Sequence, residues 1–288
     1  MNNDKTAIVT LGGAYKATYF TGVLRALHEL GINNFDMYLG ASSGAPALAY
    51  FMAGQQEDLE YICTNYIHSK KVYNIKNIFN QKPVLDLDYL VDEIFGKIKP
   101  LNIEKIRAMK NKLIIPVLNY ENGDVEYKSD KEENFSQLLK ATMSTPWING
   151  KYYKLDEKIY IDAGIGGRPP MKKILDEGYT KILLLTPNTK KSSIWRRRFF
   201  EHMFFLLCSN ITKNIKQKLK NENSLNQKVL DYHIQNPGYT KIVVISPSQN
   251  ILGRFENSKK KIQKSIELGY KDVMNNELLK KDLEIFRK

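Results

Sequence analysis

The chain has little cysteine. Cys63 and Cys208 are the only two in 288 residues, too few for a disulfide framework, so a reducing compartment is expected. Histidine is also scarce. His28, His68, His202 and His233 stand in no His/Cys/Asp/Glu cluster with metal-ligand spacing, and neither a metal nor a cofactor is expected. No Pro- or Gly-rich linker breaks the chain, which implies one domain over residues 1–288. There is no leader pattern: Met1-Asn2-Asn3-Asp4-Lys5 runs straight into the strand-like Thr6–Leu11. The longest uncharged run, Met37 to Gln56, has the length of a bilayer span, but it contains a tight Gly/Ser turn, Pro46 and Gln55-Gln56. No transmembrane helix is expected, and a cytoplasmic location follows.

Acidic charge is in deficit as well. Asp and Glu number 31 against 44 Lys and Arg, a net charge of +13. Residues 181–220 hold ten of the basic side chains and a single acid, Glu201, so +9 of the total sits in that segment. Such a patch attracts anionic lipid, nucleic acid or acidic protein. Hydrophobic and charged contents of 42% and 26% are those of a soluble globular chain.

Apolar runs and turn residues alternate as in an α/β protein. Strands are expected at Thr6–Leu11, Asp36–Leu39, Leu113–Asn119, Val125–Lys128, Ile159–Ile161, Ile182–Leu185 and Ile242–Ser246. Helices are expected at Tyr19–Leu30, Ala45–Ala53, Leu59–His68, Leu87–Phe95, Phe135–Met143, Met171–Glu177, Trp195–Lys220, Leu225–Gln235 and Lys259–Asn275. Several strands are continuous apolar runs, as in a sheet covered on both faces.

Three loops carry chemistry. Gly40-Ala41-Ser42-Ser43-Gly44 is a G-x-S-x-G pentapeptide between a strand and a small-residue helix. That context exposes a serine hydroxyl at a sharp turn, with Gly40 and Gly44 clearing space for the neighbouring elements, and it presents a nucleophile. Gly12-Gly13-Ala14-Tyr15-Lys16-Ala17 follows the first strand. Its exposed N–H groups suit an oxyanion; a plain β–α turn is the alternative, and neither dinucleotide nor P-loop spacing is present. Asp162 opens Asp162-Ala163-Gly164-Ile165-Gly166-Gly167 at the end of a strand, where open α/β sheets place their sites; a turn-capping aspartate is the alternative.

Together the three resemble the patatin-like phospholipases, a family with a glycine-rich loop, a G-x-S-x-G elbow and a D-G-[G/A] motif. The likeness covers residues 6–66 and 136–187, and Pro247 to Val273 looks like a small bacterial subgroup. Ala14, Ala17 and Ala163 replace family glycines, and Arg168 stands where an asparagine is common. The resemblance implies a three-layer α/β fold, with a mostly parallel central sheet and helices on both faces. It implies core motifs in 6–187, with extra helices and a further strand in 188–288. It also implies hydrolysis of a lipid or acyl ester by a Ser42–Asp162 dyad. Ser42 is the nucleophile and Asp162 the base. The N–H groups of Gly13 and Ala14 hold the oxyanion while Gly12 shapes the turn, and Lys16 supports the loop. An esterase for short soluble esters, or a silent lipid-binding relative, are the other readings. A Ser-Asp-His triad fits poorly, because no histidine follows the last strand candidate.

Trp195-Arg196-Arg197-Arg198-Phe199-Phe200 and the apolar run after it suit either an amphipathic helix on an anionic membrane or a helix packed on the sheet with a solvated basic end. Peripheral contact with the inner membrane face belongs to the first reading. No nucleic-acid fold signature accompanies the charge, so nucleic acid is not an expected partner. The oligomeric state is left open.

Overall fold

The computed structural model describes residues 4–80, 82–163, 169–189 and 213–287, without the side chains of 147 and 213–216. Eight strands form one sheet: β1 Lys5–Thr10, β2 Met37–Gly40, β3 Lys112–Asn119, β4 Val125–Ser129, β5 Tyr153–Leu155, β6 Lys158–Asp162, β7 Tyr179–Leu185 and β8 Lys241–Ile245. Their order is β5-β6-β3-β2-β1-β7-β8, with β4 also on β3. The run β3-β2-β1-β7-β8 is parallel throughout. β4 and β6 lie antiparallel to β3, and β5 antiparallel to β6.

Alternation along the strands separates two cores. Ile8, Tyr38, Leu113, Ile115 and Leu183 face one layer, built from α1 (Thr18–Glu29), α2 (Gly44–Met52), α3 (Gln56–Asn65), α5 (Phe135–Met143) and α9 (Lys259–Met274). Ala7, Val9, Met37, Leu39, Ile182 and Leu184 face the other, under α7 (Met171–Asp176) and Leu230 of α8 (Lys213–Gln235). Short helices α4 (Ile103–Ala108), α6 (Pro146–Asn149) and α10 (Glu277–Leu283) complete the described set, with a π-type helix at Tyr89–Ile98. This is the expected three-layer α/β architecture.

α1 buries Tyr19, Phe20, Val23, Leu24 and Leu27, a helical stripe. It meets α9 backbone to backbone. A Cβ on Gly22 would lie 1.8 Å from the Ile266 carbonyl oxygen, and one on Gly269 would lie 2.1 Å from that of Tyr19. Tyr19 also donates its hydroxyl to Asp272 at 3.0 Å. α9 is thereby pinned to the layer behind the first strand, and the segment 246–258 leading into it is held with it.

Two departures from expectation have local causes. β5 has three residues, below the length at which alternation registers, and its turn to β6 uses Asp156 and Glu157, both at positive φ (48° and 63°). Asn-Gly is the usual sequence of such a turn, and Asp-Glu carries no comparable signal. The break expected between the helices at Trp195–Lys220 and Leu225–Gln235 is absent, and one helix runs from Lys213 to Gln235. Residues 190–212 lie outside the described residues.

Lys140 is buried on α5, with its ammonium 2.6 Å from Asp92 and 3.1 Å from Asp88. These pairs clamp the 89–98 helix onto α5. Burial opposes ionisation of Asp88, but hydrogen bonds from Lys151 and Lys140 outweigh it and hold the carboxyl below the usual range. A depressed folded-state pKa contributes stability above the unfolded value, and that stability is lost as pH falls through the folded value. Lys140→Ala should therefore lower stability at pH 7 by about 2 kcal/mol, a modest figure because both carboxylates are partly solvated, and the deficit should shrink below about pH 4. Urea unfolding at the two pH values reads both effects.

Candidate active site

β1 and β2 are adjacent and parallel, with Thr10 opposite Gly40. Both chains turn sharply just beyond, so the glycine loop and the G-x-S-x-G elbow meet. Their contact is close. A Cβ on Gly12 would lie 2.5 Å from Ser42 Cβ and 3.2 Å from its Oγ, so no larger residue fits at position 12 unless the elbow moves. The elbow glycines are equally confined. A Cβ on Gly40 would meet Ala45 Cα at 2.7 Å, and one on Gly44 would meet Thr10 Oγ1 at 2.5 Å. Thr10 Oγ1 in turn donates to the Gly44 carbonyl at 3.0 Å.

Ser42 has φ 53°, in the left-handed region that non-glycine residues rarely occupy. Its surroundings enforce that conformation. The Ser42 N–H donates to Thr142 Oγ1 at 3.1 Å, and that hydroxyl donates to the Pro116 carbonyl at 2.9 Å. The elbow is thus tied through the last turn of α5 to β3. Ser42 is nearly buried, 9% exposed. α2 begins at Gly44, and its N-terminal N–H groups favour negative charge beside the serine.

Asp162 ends β6 opposite Val117 of β3. On the other side of β3, Leu39 lies opposite Ile114, and Ser42 follows just past the end of β2. Serine and aspartate therefore come to the same end of the sheet, flanking one strand. The Asp162 N–H donates to the Ser144 carbonyl at 2.9 Å, two residues from the threonine that holds Ser42. Gly164 to Arg168 lie outside the described residues.

In the glycine loop, the Gly13 N–H donates to Ser43 Oγ at 3.2 Å. Ala14 adopts φ 48°, the conformation a glycine would take there, so this replacement leaves the loop's path in place at a cost of roughly 1–2 kcal/mol. Lys16 donates through Nζ to Asn188 Oδ1 at 3.2 Å and ties the loop to the segment after β7. The candidate membrane residues Trp195, Arg196, Arg197, Arg198 and Phe199 lie outside the described residues.

One residue near the site had no motif to announce it. The Arg254 carbonyl accepts from the Tyr15 N–H at 3.2 Å, which places the segment before α9 against the glycine loop. Desolvation lowers the pKa of the Arg254 guanidinium, while the negative charge of Asp162 raises it. Arg254 thus links the glycine loop, through its backbone, to the aspartate, through its charge.

A serine elbow backed by a glycine loop at the end of a doubly covered α/β sheet defines a class of serine-centred α/β proteins. Residues 8–173 match the family described as Patatin-like phospholipase. The chain belongs to that family, whose general activity is lipid acyl hydrolysis. It is similar to the uncharacterized protein YjjU of Escherichia coli (strain K12), 20% identical over 246 residues that cover 84% of this chain and 68% of that protein. Among solved structures it shares its fold with VipD from Legionella pneumophila, at TM-score 0.50 and 13% identity, over 98% of this chain and 67% of that one.

The positive φ at Ser42 gives a stability prediction. Ser42→Gly should be more stable than Ser42→Ala by about 1 kcal/mol, since both lose the hydroxyl and only glycine sheds the backbone strain. Equal melting temperatures would mean the elbow relaxes once the serine is gone.

Proposed function

We propose that the protein is a serine acyl hydrolase of lipids that uses Ser42 as nucleophile and Asp162 as base. The observation that carries this reading is the Gly12–Ser42 approach: a hydroxyl on a strained turn, set against backbone amides and a helix N-terminus. Ser42 Oγ attacks the ester carbonyl and its proton passes to the Asp162 carboxylate. The leaving alcohol takes that proton as the C–O bond breaks, leaving an acyl-serine. Water then attacks, gives a proton to Asp162, and the serine recovers it as the carboxylic acid departs.

The amides of Gly13 and Ala14 are the proposed oxyanion donors, with Gly12 keeping the approach open. Gly13 bonds the neutral Ser43 hydroxyl in the free protein. An oxyanion is a stronger acceptor and displaces it. The test is labelling by a fluorophosphonate probe together with turnover of a lysophospholipid. Wild type should label and turn over; Ser42→Ala should do neither; Asp162→Asn should lose at least about a hundredfold in turnover, the lower range for a positioned base. Near-normal turnover in Asp162→Asn would remove the dyad.

Arg254 enters as a positioning residue. Its guanidinium favours the ionised carboxylate, the form that accepts a proton. Arg254→Gln should shift the acid limb of the kcat/KM profile to higher pH, and Arg254→Lys should keep it near wild type. An unmoved limb in Arg254→Gln would leave only a structural role.

A further inference from the structure

Between α3 and the 89–98 helix the chain makes a protruding excursion, residues 66–85, whose base and tip differ in character. The base is core: Val72, Tyr73, Val84 and Leu87 are buried, and Tyr73 bridges Leu85. The tip is not. Ile75, Ile78 and Phe79 are 55%, 60% and 84% exposed, and Phe79 is the most exposed large hydrophobic among the described residues. Scattered exposed apolar residues need no account, but three within five positions on one short turn do.

The charge around the tip is one-sided. Lys70, Lys71, Lys76 and Lys82 are exposed, and no acid occurs between Glu60 and Asp86. The base is fastened on both sides of the candidate site. Tyr15, next to the glycine loop, donates its hydroxyl to the Ile67 carbonyl at 2.7 Å and sets its ring edge-on to Tyr73 at 5.4 Å. On the other side the Val84 and Leu85 N–H groups donate to the Ile148 carbonyl at 2.8 and 3.2 Å, on α6 between Ser144 and the aspartate strand.

We infer that the Ile75–Asn80 tip, with the lysines flanking it, is an interfacial anchor. Ile75, Ile78 and Phe79 enter the headgroup boundary of a membrane rich in anionic lipid while the four lysines lie on its phosphates. The occupant follows from charge complementarity together with the apolar apex: a folded partner would bring a matching pocket, whereas a bilayer takes three unpaired apolar side chains ringed by cations. Because the base is tied to both flanks of the serine, docking holds the candidate site close to the lipid. This placement rests on the lipid-hydrolase reading; the docking itself does not require turnover.

The test uses the full chain in co-sedimentation with vesicles of phosphatidylcholine, with and without a third of phosphatidylglycerol, beside hydrolysis of a soluble monomeric ester. The double variant Ile78→Asn/Phe79→Asn should bind both vesicles at least about tenfold more weakly and hydrolyse the soluble ester at the wild-type rate. Lysine-to-glutamine changes at 70, 71, 76 and 82 should cost about fivefold each on anionic vesicles and little on neutral ones. A Phe79→Trp variant whose emission shifts to the blue on vesicles would support insertion independently. Wild type that binds vesicles through the tip yet hydrolyses nothing would support docking and remove the hydrolase reading. The docking proposal is overturned if wild type ignores anionic vesicles, or if the tip variants bind as wild type does. It is also overturned if the double variant turns a dimer into a monomer without changing vesicle binding, which would make the tip a self-association surface.

Discussion

Gly12 and Ser42 occupy adjoining turns at the ends of adjacent parallel strands, and the space between them admits no methyl group. That constraint sets the rest of the site. It keeps the glycine loop in van der Waals contact with the serine and leaves no room for the elbow to drift. It also forces the small residues around it, since Gly40 and Gly44 are hemmed in by Ala45 and Thr10 just as Gly12 is by Ser42. Three close approaches at this corner leave its backbone little room to move. Stiffness is what electrostatic stabilisation of a developing charge requires, because donors that must reorganise give back what they contribute.

The elements that support this corner come from distant parts of the chain. The end of α5 reaches both sides of it, holding the elbow through Thr142 and the aspartate backbone through Ser144. The C-terminal segment reaches it a second way, through the Arg254 carbonyl on Tyr15. That segment owes its position to α9, whose Gly269 sits on α1. A helix-to-helix contact far behind the sheet therefore sets where a guanidinium lies relative to Asp162. Residues 8–173 carry the family match, so Arg254 shows the chain beyond the matched region bearing on the same site.

The local motifs were legible because their physics is local. A serine between glycines, with an apolar strand before and a small-residue helix after, reads as an elbow from five residues. Asp162 is different: a strand-end aspartate is as well explained by a turn, and only its order after the other two loops singled it out. Arg254 and the Ile75–Asn80 tip left no pattern of that kind. Arg254 matters through tertiary placement alone. The tip reads as an ordinary polar loop, and its one linear trace is the stretch from Glu60 to Asp86 that holds four lysines and no acid. β5 was hidden by its length and by a turn made from Asp156 and Glu157.

An arginine coupled by charge to the proposed base raises a question of balance. A cation favours the ionised carboxylate, so more of the enzyme is ready at a given pH, but the same cation makes that carboxylate a weaker base. A free aspartate, with a pKa near 3.9, is already almost wholly ionised at pH 7, so the gain in population there is small. The gain is large only if the site itself opposes ionisation. Ser42 is 9% exposed, burial lowers the Arg254 pKa, and Asp162 itself is half-buried. On the proposed dyad the guanidinium would offset whatever burial takes from the charge of the carboxylate, and the loss in basicity would be met from the other side, by the loop amides and the α2 N-terminus at the proposed oxyanion position.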